Sequence, residues 1–184
     1  MGIDLAGMTL ANNTGLVATS GGVNYFKMGV TGILQRHINQ PMFRAGFSGD
    51  PAWTLWVANN WNALVCNATN VNVGSCYNPA NGAYTAPVTG VYLFAASTYC
   101  HGNSDGWYIH PMFWVNGASN ARRPSAGALH RMRGHGNANG YEEDTDAMEI
   151  IFLYAGDYVQ FYNFSGGNTQ YLAQYCRFEG YLLG

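Results

Sequence analysis

The run Val91-Tyr92-Leu93-Phe94-Ala95-Ala96 constrains this chain more than any other feature. Its β-branched and aromatic residues favour a strand. Successive side chains of a strand point to opposite faces. Val91, Leu93 and Ala95 therefore point one way, and Tyr92, Phe94 and Ala96 the other. Both faces are apolar, whereas an antiparallel strand with one wet face alternates apolar with polar. Ile150-Ile151-Phe152-Leu153-Tyr154 repeats the pattern, and Tyr158-Val159-Gln160-Phe161-Tyr162 nearly does. In Phe178-Glu179-Gly180-Tyr181-Leu182-Leu183 one face holds Phe and Leu, the other Tyr and Leu. One face of such strands can fill the interior of a sandwich. The other needs a cover, and which face meets which is open at this stage.

Strand signals recur along the chain, punctuated by Asn, Gly and Pro. They predict strands over Pro41–Ser48, Thr54–Ala58, Ala83–Thr85, Gly90–Thr98, Trp107–Val115, Ala128–Gly134, Asp146–Tyr154, Tyr158–Phe164 and Arg177–Leu182, with Pro51–Asn62 ambiguous. Helical periodicity is missing over any useful length. The pattern is all-β, of sandwich or jelly-roll size. Val115-Asn116-Gly117 carries an Asn-Gly signal for a tight hairpin. Ala155-Gly156-Asp157 reads as a hairpin loop in which Gly supplies a positive φ.

A chain of 184 residues suits one domain with a core and a modest extension. We place the extension at residues 1–40 and the globular head at 41–184. The extension is expected to be a short β or extended anchor. Leu16, Val17, Val23, Tyr25, Phe26, Ile33 and Leu34 give it too much apolar surface to leave in water. Charged residues are 10% of the chain and Lys27 is the only lysine, against about 25% charged in typical domains. A surface so poor in charge suits burial in an assembly. A net charge of −2 argues against nucleic acid, whose phosphates need several basic groups. The N-terminus lacks the basic and apolar regions of a secretory signal, and no window reaches the roughly 18 apolar residues of a membrane helix. The expectation is a complete product folded where it is made.

Candidate chemistry is sparse. Cys66, Cys76, Cys100 and Cys176 have no CxxC spacing. Four buried thiols are expected, with a Cys66–Cys76 disulfide as the alternative in an oxidising medium. His130 and His135 sit among arginines, which disfavours a metal. Glu142-Glu143-Asp144-Thr145-Asp146 offers carboxylates but no EF-hand spacing, so a solvated loop is expected rather than a calcium site. His101, Ser104 and Asp105 lie close in sequence without a Gly-x-Ser-x-Gly elbow. No catalytic residue, metal or cofactor is assigned. The sequons at Asn12, Asn67 and Asn163 read as accidents of an Asn-rich chain. A ligand-binding tip, if the chain has one, falls in the polar stretch 116–141, with Arg122, Arg123, His130, Arg131, Arg133 and His135 as candidates.

Four pieces in order point to a family. They are Pro41-Met42-Phe43-Arg44-Ala45-Gly46-Phe47-Ser48-Gly49, then Tyr77 followed by Gly82-Ala83-Tyr84-Thr85-Ala86-Pro87-Val88-Thr89-Gly90-Val91-Tyr92, then Leu153-Tyr154-Ala155-Gly156-Asp157-Tyr158-Val159, and finally Phe178-Glu179-Gly180-Tyr181-Leu182-Leu183. Together they resemble the globular head of complement component one-q, within the tumour-necrosis-factor-like superfamily. The resemblance implies a ten-stranded jelly-roll sandwich, a compact homotrimer and no catalysis. Core or trimer-interface candidates are then Phe43, Phe47, Tyr84, Tyr92, Phe94, Phe161, Phe178 and Tyr181. The secretory signal and collagen-like stalk of animal members have no counterpart in these residues. The expected function is therefore a virus or phage structural protein. It would be a capsid decoration or cement trimer on the virion surface, held to the major capsid or another virion protein by its N-terminal segment. The alternative is the receptor-binding tip of a short fibre, recognising a host surface glycan or protein.

Overall fold

The computed structural model describes residues 16–20, 23–28, 34–35, 40–49, 53–102, 107–118, 132–133, 142–167 and 169–184. The chain divides into two compact units, Met1–Gln40 and Pro41–Gly184. In the first, β1 (Leu16–Ser20), β2 (Val23–Met28) and β3 (Leu34–Gln35) form an antiparallel sheet in that order. A bulge between Ala18 and Thr19 shifts the β1–β2 register.

The described residues of the second unit form strands and one short 3₁₀ turn. In chain order the strands are β4 (Met42–Gly46), β5 (Trp53–Leu55), β6 (Asn60–Ala63), β7 (Ala68–Val73), β8 (Tyr77–Asn78), β9 (Ala83–Thr85), β10 (Gly90–Gly102), β11 (Tyr108–Val115), β12 (Met132–Arg133), β13 (Glu142–Leu153), β14 (Tyr158–Gly166), β15 (Thr169–Leu172) and β16 (Arg177–Leu182). Among the described residues they make two sheets. A seven-stranded sheet runs β5-β15-β10-β16-β4-β7, with β13 on the free side of β10. A six-stranded sheet runs β12-β11-β14-β9-β8, with β6 also on β14. The two layers form an all-β jelly-roll sandwich, as the strand pattern predicts. Among the described residues this unit has thirteen strands rather than the expected ten, and β5, β6, β8, β9, β12 and β15 are fragments of two to four residues.

The pleat explains the core. Along β10, Tyr92, Phe94 and Ala96 point inward and are buried, while Val91, Leu93 and Ala95 point outward and are half-buried. Phe43 of β4 stacks on Tyr77 and Tyr84, with ring centroids 4.9 Å away in both cases, and meets Phe178 of β16 edge-on at 4.8 Å. From the opposite sheet, Phe161 of β14 packs on Phe113 of β11 at 5.1 Å. Buried aromatic pairs in such geometries add about 0.5–1.5 kcal/mol each beyond the area they hide.

Turn chemistry fixes one end of the sandwich. Asn116 and Gly117 take φ of 53° and 74°, and Val115 and Ala118 exchange backbone hydrogen bonds across them. Gly156 takes φ 91°. The Asp157 carboxylate accepts from the Tyr154 backbone N–H at 2.7 Å and from the Asn116 amide at 2.8 Å, tying the two turns together. Chain entry and exit meet at this end too. The Leu182 N–H donates to the Pro41 carbonyl at 3.0 Å, and the Val91 N–H to the Gly184 carbonyl at 2.8 Å.

Two expectations need correction. The acidic run Glu142–Asp146 is not a loop but the first five residues of β13, with Thr145 buried and Asp144 and Asp146 exposed. The pairing partner β10 extends to Gly102 and continues the ladder under it. β6, β7 and β15 carry strand pairing that their Asn, Gln and Thr content hides. The expected four buried thiols, by contrast, are what the structure holds, with Cys66, Cys76, Cys100 and Cys176 all free and buried. Asn163 has no exposed surface, which agrees with reading its sequon as an accident of composition.

Gly180 provides a test of the packing. A Cβ there would lie 2.5 Å from the Phe94 ring and 3.0 Å from the Leu93 carbonyl oxygen, which is backbone and cannot swing away. Gly180→Ala is expected to destabilise the head by about 1–3 kcal/mol, the usual cost of overpacking. The denaturant midpoint, measured at constant slope, checks this; an unchanged midpoint would contradict the packing described.

Candidate functional site

The outward face of the seven-stranded sheet is where the unusual strands lead. Antiparallel pairing places Leu93 opposite Ile150, Ala95 opposite Met148 and Val91 opposite Phe152. On the other side of β10, Leu93 faces Tyr181. Tyr181 faces Met42, and Met42 faces Val73. Residues directly opposite share a face, so Ile150, Leu93, Tyr181, Met42 and Val73 form one apolar row across five strands. Met148 is 66% exposed, Ile150 63% and Phe152 46%. Bare side chains of this size on one continuous face are uncommon on a monomer and mark contact surfaces.

The parallel row reads Met148, Ala95, Glu179, Arg44, Val71. Its two charges pair with each other, Arg44 Nε lying 3.5 Å from Glu179 Oε2 with both side chains exposed. Such a pair adds little to stability in water. It does leave this part of the face close to neutral. A hollow of about 420 Å³ opens between Leu93, Met148, Tyr181 and Val71. Toward β15 and β5 the face becomes aromatic and polar. Trp53 stacks near Tyr99 at 5.9 Å, and Tyr175 meets Tyr99 edge-on at 5.2 Å.

The outward face of the six-stranded sheet differs in kind. Tyr162 stacks on Trp114 at 4.1 Å, and Trp61 packs edge-on against Trp114 and Phe164. These rings are all half-buried because each shields the next. Among the described residues they leave no bare apolar row like that of β13.

The sequence candidates divide accordingly. Phe43, Tyr84, Tyr92, Phe94, Phe161 and Phe178 are in the interior of a single chain, so they belong to its core. Phe47 is half-buried against Tyr171. Tyr181 alone of the eight lies on the outer face. The residues that dominate that face, Met148, Ile150 and Phe152, were not singled out. Their signal was present in the two-sided run Ile150–Tyr154, but parity alone does not say which side faces in. Leu16 and Val17 lie in β1, Val23, Tyr25 and Phe26 in β2, and Leu34 in β3. Arg133 lies in β12. Ile33, Arg122, Arg123, His130, Arg131 and His135, with Ser104 and Asp105, lie outside the described residues.

The groups that could do chemistry are muted. Among the described residues no three His, Cys, Asp or Glu side chains come together to hold a metal. Burial, reinforced by nearby Cys176, pushes the Cys66 thiol up to about 12 despite hydrogen bonds from Tyr77 and Phe178. Burial pushes Cys176 up to about 12 as well. Burial also raises Tyr77, whose hydroxyl donates to the Cys66 carbonyl at 2.9 Å. Thiols held protonated are poor nucleophiles.

The C1q domain family model matches residues 54–183. No curated protein matches the chain. Among solved structures it is similar to the Eiger TNF of S. frugiperda, with TM-score 0.56 and 13% identity over 79% of this chain and 94% of that one. The globular domain of zebrafish complement 1qA has TM-score 0.50 and 16% identity, covering 79% of this chain and 98% of that one. Murine APRIL has TM-score 0.52 and 8% identity, covering 78% and 99%. At these identities the likeness is one of fold.

The buried thiols predict a pH dependence. Below about pH 9 folded and unfolded chains both keep these protons, and the stability is fully present. Between about 9 and 12 the unfolded thiols ionise while folded Cys66 and Cys176 do not, so stability falls with rising pH. Native protein at pH 8 is expected to resist iodoacetamide at both positions, with modification becoming fast in urea. Rapid native alkylation of Cys66, read by peptide mass, would contradict the burial.

Proposed function

This chain belongs to the C1q domain family, and from that premise we propose that its head is a non-catalytic module that assembles as a homotrimer. The observation that carries the reading is the bare row of Met148, Ile150 and Phe152 in register with Leu93 and Tyr181. A cyclic trimer covers such a face by heterologous contact, each subunit setting an edge against the face of the next. β13 suits that role, since it pairs β10 on one side and carries exposed apolar side chains at Met148, Ile150 and Phe152 in its second half. The internally paired Arg44 and Glu179 let their own row of the face close without an uncompensated charge. A stable interface of this kind buries on the order of 2,000 Å² or more. The fold likeness to C1q and TNF heads and the low charge of the chain support the same arrangement.

At a finer level, we read the trimer as a surface component of a virus or phage particle, a decoration or cement protein held by the unit of residues 1–40. A chain with one lysine and 10% charged residues suits permanent burial against other proteins. Counting copies in purified particles tests this. Many copies spread over the shell support decoration, a few at one vertex or tail position support a receptor-binding tip, and none in any particle preparation overturns both.

Oligomeric state tests the coarser reading. Light scattering at micromolar concentration is expected to give three times the chain mass. Ile150→Glu is expected to leave the circular dichroism unchanged, because the side chain lies outside the core, and to weaken association by several kcal/mol through a buried unpaired carboxylate. A monomeric wild type, or a trimeric variant of equal affinity, would sink the assignment of this face.

A further inference from the structure

Inside the sandwich, apolar packing is interrupted. Inward side chains along β10 run Tyr92, Phe94, Ala96, Thr98, Cys100. Ala96 belongs to the large aromatic cluster, and Cys100 to a smaller one with Trp56, Trp107 and Ile109. Thr98 sits between them. Thr145 lies directly opposite Thr98 on β13. From the other sheet, the Asn163 amide nitrogen donates to the Thr98 hydroxyl oxygen at 3.1 Å. Thr98, Thr145 and Asn163 are each 0–1% exposed. Two of their polar atoms, Thr145 Oγ1 and Asn163 Oδ1, have no hydrogen-bond partner within the protein.

Folded proteins rarely leave such groups unpaired. Rotating the Asn163 amide does not help. Its oxygen would then accept from Thr98, and its nitrogen would be the orphan. Buried water commonly resolves this situation, at roughly one molecule per 27 residues, each making about three hydrogen bonds. Thr98 and Thr145, opposed on antiparallel strands, have Cβ atoms about 4.5–5.5 Å apart, and the Asn163 amide reaches the Thr98 hydroxyl from the other sheet, so both orphan atoms flank the Thr98 side chain. A water bonded at about 2.8 Å to each of two oxygens spans a similar distance. All groups in this layer are neutral, which fits a neutral ligand. We propose that Thr98, Thr145 and Asn163 form a closed hydration site, holding an ordered water that bridges the two sheets between Thr145 Oγ1 and the free end of the Asn163 amide. The site is internal to one subunit and independent of how subunits assemble.

A crystal structure of the full chain at about 1.5 Å tests the site directly. A fully occupied peak within about 3.2 Å of both side chains is the expected result. A dry layer, with the two side chains bonded to each other or to backbone, overturns the proposal. So does an anomalous peak there after soaking in rubidium, which would make it a cation site. In solution, magnetisation transfer from a long-lived water to the Thr145 and Asn163 resonances is expected. Thr145→Val removes one anchor and should shorten the water's residence at least about tenfold. An unchanged residence time would count against the bridge, and if the variant does not fold, the wild-type density and transfer still decide.

Discussion

Everything in the head depends on β10. It pairs three other strands of the seven-stranded sheet, with β13 along one edge and β16 and β15 in succession along the other. Its inward side chains then supply the floor on which the opposite sheet packs. A register slip of one residue here would turn Tyr92 and Phe94 to the outside and move every neighbour with them. The aromatic stacks around Phe43 and Phe178 secure that register. Phe94 sits over Gly180 so closely that only glycine fits.

The same register creates the outer face. Once Tyr92 and Phe94 are committed to the interior, Val91, Leu93 and Ala95 have no choice but to face outward. β13 must then present Met148, Ile150 and Phe152 beside them. An interior tightly built from rings and an exterior built from flexible aliphatic chains are two sides of one pairing. The six-stranded sheet meets the same demand differently, by letting Trp61, Trp114 and Tyr162 shield one another.

Much of this was readable in the residues. The all-β class followed from Tyr, Phe, Val and Ile in short runs, and the turns at Asn116-Gly117 and Gly156 from backbone needs that few residues meet. The boundaries of β9 and β16 fell where the pattern put them. β7 and β15 did not stand out, because residues such as Asn70, Asn72 and Gln170 are poor strand formers held in place by their partners rather than by preference. The acidic start of β13 misled for the same reason. Carboxylates at alternate positions look like a solvated loop until the neighbouring strand is known to run beside them. The choice of outer face was equally hidden, since both parities of Ile150–Tyr154 are apolar and only the pairing with β10 breaks the tie.

The meeting of Pro41 with Leu182, and of Gly184 with Val91, sets how the head bears load. A pull applied between residue 41 and residue 184 acts at a shared end of β4 and β16. Their hydrogen bonds would open one after another, as a zipper does, at low force. A pull between residue 41 and the far end of the sandwich runs along β4 instead. The bonds of β4 to β16 and to β7 would then be strained together and yield together. The head is thus mechanically strong when held by residue 41 and gripped at its opposite end, and weak when its two ends are drawn apart.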